Sequence, residues 1–125
     1  MELGEERRRL QRLVWLGDSL DTLRTFPKPV QNEIGFALYQ AQLSFRHANA
    51  KPLKGLGSGV LEVVSDYRND TFRAVYTVRF HTATYVLHVF QKKSKRGIAT
   101  PRREIELVRQ RLKLAQMMSQ AGEKA

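Results

Sequence analysis

The sequence predicts an α+β fold in which a small antiparallel sheet packs against two N-terminal helices and one C-terminal helix. Three observations carry this expectation. Val30, Ile34, Ala37, Leu38, Ala41 and Phe45, and later Ile105, Val108, Leu112 and Ala115, recur at three and four residues, the spacing that gives a helix one apolar face. Between these segments, residues 60–91 form three runs rich in Val, Thr, Tyr and Phe with short connections, the pattern of consecutive antiparallel strands. A chain of 125 residues, 42% hydrophobic and 27% charged, suits one domain with one core, residues 1–125 with frayed ends outside about 12–115.

The elements follow in order. Residues 12–16, RLVWL, form a short apolar run closed by Gly17 and read as a strand. Asp18 is placed as the N-cap of a short helix whose stripe, Leu20 and Leu23, stops at Phe26 before Pro27. The longer helix follows Pro27 and Pro29, and Asn49 and Pro52 predict its end near His47. The next segment, KPLKGLGSG, has glycines at alternate positions but neither the G-x-G-x-x-G nor the Walker spacing. It reads as a flexible entry into a strand rather than a nucleotide cradle.

Val60–Tyr67, the turn Arg68-Asn69-Asp70, Thr71–Phe80 and Ala83–Gln91 supply the strands. Parity places Phe72, Ala74, Tyr76, Val78 and Phe80 on one face of the middle strand, and Arg73, Val75, Thr77 and Arg79 on the other. In the last strand it opposes Tyr85, Leu87 and Val89 to Val86, His88, Phe90 and Lys92. Thr100 and Pro101 supply an N-cap and a proline at the first helical position. Glu104 and Glu106 precede Arg109, Arg111 and Lys113, the order a helix dipole favours. The final SQAGEKA reads as a frayed tail.

Twenty-two Lys and Arg against twelve Asp and Glu leave a net charge of +10, a field that attracts polyanions and nucleic acid first. Residues 91–113 hold nine of these cations and two acids, and Arg46, Lys51 and Lys54 lie in an acid-free stretch from 46 to 61. The absence of Cys excludes disulfide frameworks, Cys-containing zinc sites and thiol nucleophiles. His47, His81 and His88 show no ligand spacing, so no metal and no cofactor is expected, and no G-x-S-x-G elbow exists for acyl transfer. No apolar run approaches the roughly 18 residues of a membrane span and no signal peptide opens the chain, so a cytoplasmic location without membrane contact is expected.

Four motifs in this order resemble one known family: VWLGDS at 14–19, FRAVY at 72–76, YVLHVFQKKSK at 85–95 and T-P-x-x-E-I-E-L from Thr100 to Leu107. Over about residues 12–115 the chain resembles the RelE and HigB superfamily of toxins from type II toxin–antitoxin modules, in its phage-derived, HigB-like branch. The resemblance implies a RelE-like fold and a ribosome-dependent mRNA endonuclease, an mRNA interferase that cuts without metal through the 2′-hydroxyl. It further implies a cognate antitoxin with a helix-turn-helix or similar element, operator DNA bound only through the antitoxin complex, and ribosome and message as targets. Two other readings share the features: a ParE-like, non-nuclease toxin acting on DNA gyrase, and a phage-derived nucleic-acid-binding protein.

The resemblance also implies roles for residues. Arg73 matches the strand arginine set against the scissile phosphate, where its planar fork suits bidentate binding. Arg73→Ala is expected to abolish toxicity with the fold intact. Lys92 at the end of the last strand is a catalytic candidate, and Lys54, in the loop before the strands, is a candidate base. His88 shares parity with Lys92 and could assist proton transfer. Lys51, Lys93, Lys95, Arg96, Arg102 and Arg103 form the expected phosphate-tracking set, with Phe90 as a stacking platform. Several members carry a tyrosine near the C-terminus of the nuclease core, whereas no Tyr follows Tyr85 here.

Overall fold

The computed structural model describes residues 10–92 and 100–124. Strand β1 (Arg12–Trp15) leads into helices α1 (Ser19–Arg24) and α2 (Lys28–Gln42). Strands β2 (Ala50–Pro52), β3 (Val60–Tyr67), β4 (Asp70–Thr77) and β5 (Ala83–Lys92) follow, and α3 (Arg102–Lys124) closes the chain. The five strands form one sheet in the order β1-β5-β4-β3-β2. The β3–β4 hairpin turns at Arg68 and Asn69, both at positive φ, the two-residue geometry that matches strand twist. No helix among the described residues is long and apolar enough to cross a membrane.

Each face of the sheet is covered by one helical layer. Leu23 and Phe26, with Val30, Ile34 and Leu38 of α2, pack on Leu61, Val63, Phe72, Ala74, Tyr76 and Val89. On the opposite face Val108, Leu112 and Ala115 of α3 pack on Val60, Val75, Tyr85 and Leu87.

Several details depart from the sequence expectation, each for a local physical reason. The sheet is mixed, not wholly antiparallel, because β1 pairs in parallel with the edge of β5 that would otherwise stand unpaired. The short edge strand β2 was not expected. Its Pro52 is tolerated because an edge strand can spare a backbone donor. Helix α2 ends at Gln42 and not near His47: Ser44 turns to φ 69, and the Ser44 and Phe45 amides donate to Ala41 and Gln40 carbonyls. This closing motif carries Phe45 out of the apolar stripe to 54% exposure.

Strand β4 ends at Thr77, so Val78 is exposed and Phe80 turns to the α3 side, edge-on to Tyr85. In β5 the strict alternation fails. Val75 pairs with His88 while the next residue, Tyr76, pairs with Val86, which leaves Leu87 as an inserted bulge residue. Leu87 and His88 therefore lie on the α3 side, and Val89 joins Val86 against α2. Helix α3 continues to Lys124 in place of a frayed tail, anchored where buried Ser119 hydrogen-bonds Thr82 at 2.8 Å.

Candidate functional site

Register decides which candidate side chains meet. Lys51 of β2 stands opposite Glu62 of β3, Glu62 opposite Val75, and Val64 opposite Arg73. Across the other edge of β4, Arg73 faces Phe90, Val75 faces His88 and Thr71 faces Lys92. Directly opposed residues share a face, so Lys51, Glu62, Arg73, His88, Phe90 and Lys92 all lie on the side that α3 covers. The β5 bulge lies below these three β5 residues and leaves their common parity intact.

Arg73 is the centre of this face and is 5% exposed. Its Nη1 lies 3.2 Å from Glu62 Oε1 and donates to Thr100 Oγ1 at 3.3 Å, while Thr100 Oγ1 donates to Glu62 Oε2 at 2.5 Å. The Thr100 hydroxyl thus closes a buried ion pair instead of capping α3, whose first amide bonds go to the Pro101 carbonyl. Two cavities open on this pair. One, of about 360 Å³, is lined by Leu53, Lys54, Glu62, Arg73, Thr100 and Ile105. The other, of about 510 Å³, adds Glu33, Asn49, Lys51, Val64 and Asp66 around the same Glu62 and Arg73. A further cavity of about 390 Å³, beside Phe45, Arg46, Leu61 and Val78, contains none of the candidate residues.

His88 is 6% exposed and lies flat against Phe90, ring centroids 5.0 Å apart. Arg111 Nη1 approaches its Nδ1 at 3.3 Å, and its Nε2 lies 2.6 Å from Glu104 Oε1. A guanidinium can only donate, so Nδ1 accepts, and the ring proton sits on Nε2, donated to Glu104. Arg111 also donates to the bulge carbonyl of Leu87 at 3.0 Å and to Asp18 Oδ1 at 3.2 Å. Asp18 therefore binds α3 across the fold and makes no side-chain cap on α1. Gly17, at φ +57, leaves the space this guanidinium occupies.

The cations separate into two groups. Arg46, Arg73, Arg79, Arg109 and Arg111 are engaged with carbonyls or carboxylates of the protein itself. Lys51, Lys54, Arg102 and Arg103 are exposed and Lys92 is half-buried, so these present charge to solvent, Arg103 with only a loose 3.8 Å approach to Glu104. Lys93, Lys95 and Arg96 lie outside the described residues. Phe90 is 7% exposed and stacked on His88, which makes it part of the core in this structure. Among the described residues, no group of three or more His, Asp or Glu side chains is arranged to hold a metal ion.

Sequence reasoning passed over Glu62, Thr100, Glu104 and Arg111. One signal was available for Glu62: it is the single charge in the apolar run VLEVV, which a buried strand carries only with a partner. Thr100 and Glu104 enter only as residues of the helix start and of the T-P-x-x-E-I-E-L motif, and for Arg111 no local signal exists, because it fits a solvent-facing helix equally well.

A five-stranded mixed sheet with three helices, carrying this basic face, defines an α+β protein with a RelE-like fold. A family model for the phage-derived protein Gp49-like (DUF891) matches residues 21–113, and the chain belongs to that family. The family is commonly a RelE- or HigB-like toxin. No curated protein and no solved structure matches the chain.

Proposed function

We propose that this chain is the toxin of a type II toxin–antitoxin module and acts in the cytoplasm as a ribosome-dependent mRNA endonuclease. The observation that supports it is that Lys51 and Lys54 line two cavities that open on buried Arg73, while His88 and Lys92 share its face of the sheet, residues spread over 42 positions of sequence. In this reading a message phosphate takes the Thr100 position on Arg73, and the guanidinium stabilises the charge that builds on the phosphorane. The 2′-oxygen attacks phosphorus and the bond to the 5′-oxygen breaks. Glu62, which already accepts a hydrogen bond from the Thr100 hydroxyl, receives the 2′-hydroxyl proton. With Glu62 beside Arg73 as the base, Lys54 across the same cavity takes the acid role in place of the base role expected from sequence and delivers a proton to the leaving 5′-oxygen, and Lys92 adds positive charge at the strand end.

Both ring nitrogens of His88 are taken, Nε2 by Glu104 and Nδ1 by Arg111, so in this reading it acts as a positioning group within that chain and not as the proton shuttle. Arg102 and Arg103, with Lys51, hold the ribosomal or message backbone, which positions the substrate without reading sequence. The partner is a cognate antitoxin with a helix-turn-helix element, and operator DNA is bound through that complex.

The test is expression in bacteria with protein and DNA synthesis followed separately. Translation should stop first, with message cut at ribosome-bound positions. Gyrase-linked DNA damage with intact message would replace this reading with the ParE-like one, and growth without arrest despite confirmed expression would leave a binding protein.

A further inference from the structure

The segment between β2 and β3 is the part of the cavity wall whose sequence, LKGLGSG, suggests the least order, yet its base and the carbonyls of Gly55, Leu56, Ser58 and Gly59 are tied down. The Leu53 amide donates to the Val60 carbonyl at 2.9 Å, closing the segment at its base, and Leu56 is buried in the α3-side core. Arg79, just beyond β4, donates from Nε to the Ser58 carbonyl at 2.8 Å and from Nη2 to the Leu56 carbonyl at 2.5 Å. Arg109 of α3 reaches the Gly55 carbonyl at 3.4 Å. Gly55, Gly57 and Gly59 adopt φ of +88, +82 and +80. A Cβ on Gly57 would lie 2.7 Å from Arg79 Nη2, and one on Gly59 would lie 3.0 Å from the Arg79 backbone.

Two of the alternate glycines thus make room for one arginine, and three carbonyls point at cations. An anion cradle would present amides. The loop carries Lys54 and holds it over the cavity shared with Glu62, Arg73 and Thr100. Arg79 is exposed and its two side-chain bonds act at the loop tip, away from the sheet ladder, so they govern where Lys54 stands and not whether the strands pair.

We propose that Arg79 is a positioning residue for Lys54, bracing the loop of residues 53–59 over the Arg73 cavity. The assignment rests on the role given to Lys54 under the proposed function. Arg79→Met keeps the side-chain stem and removes the two carbonyl bonds. It should lower cleavage of ribosome-bound message at saturating ribosome by about tenfold or more while the half-saturating ribosome concentration stays within about twofold. Because Arg79 acts through Lys54, the Arg79→Met/Lys54→Met pair should be no slower than Lys54→Met alone. Additive losses, or full turnover in Arg79→Met, would overturn the proposal.

A readout that does not require nuclease activity separates this from failure of the functional reading. Backbone ¹⁵N order parameters at residues 54–59 should fall from the rigid range of about 0.85 to about 0.6 or below in Arg79→Met, with β3 and β4 unchanged. If the protein cuts no RNA but the order parameters fall so, the brace stands and the role of Lys54 falls. Unchanged order parameters remove the brace itself.

Discussion

Arg73 and Glu62 are coupled structurally before any substrate arrives, and this makes single substitutions at either position ambiguous. Their side chains are only 6% and 12% exposed with Nη1 and Oε1 3.2 Å apart. Arg73→Met strands the Glu62 carboxylate with Thr100 as its remaining donor, and Glu62→Leu strands the guanidinium. Breaking a buried pair from one side costs about 3–5 kcal/mol, a large part of the roughly 5–15 kcal/mol that holds a small domain folded. The expectation that Arg73→Ala removes toxicity with the fold intact therefore does not suit this site. In the double variant Arg73→Met/Glu62→Leu no charge is left behind, and its stability should return to within about 1 kcal/mol of the parent.

Urea denaturation of the four proteins at neutral pH measures the coupling directly, and growth arrest with message cleavage measures function on the same set. The expected pattern is two unstable singles, a stable double and no cleavage in any variant. Singles that lose less than about 1 kcal/mol would refute the buried-pair argument. A stable double that still cuts message would remove Arg73 from the phosphate site.

Two further outcomes follow from the geometry. Gly17→Ala forces a side chain at φ +57 and displaces Arg111 from Leu87, His88 and Asp18. A loss of about 2–4 kcal/mol is expected by chemical denaturation, with Gly35→Ala, in open space on α2, unchanged or slightly stabilised as the control. Tyr76 is fully buried, its hydroxyl has no partner among the described residues, and burial pushes its pKa up to about 12, opposed in part by Arg46. Because the unfolded tyrosine ionises near 10 and the folded one near 12, the unfolded state releases its proton first, and stability should fall by about 2–3 kcal/mol between those pH values. Tyr76→Phe should lack that component of alkaline destabilisation and match or exceed the parent's stability at neutral pH. An unchanged alkaline slope would show that Tyr76 does not carry it.

Local periodicity along this chain was sufficient for the existence of the two long helices, though not for their C-terminal ends, and for the β3–β4 turn and the faces of Phe72, Arg73 and Val75, since each depends on neighbours within a few residues. It also grouped His88, Phe90 and Lys92 correctly, because all three follow the bulge. Where a contact joins distant segments, local pattern carries no information. The inserted Leu87 is set by β4 and by the Arg111 bond to its carbonyl, and one such residue reverses every parity on its N-terminal side. Thr100 has the composition of a helix cap, but 38 residues away Glu62 offers a buried carboxylate beside a guanidinium, and a charged acceptor in a dry site outcompetes an exposed amide. The net charge of +10 was legible by counting, but which arginines face solvent and which bind the protein's own carbonyls depended on where the fold left backbone acceptors without partners.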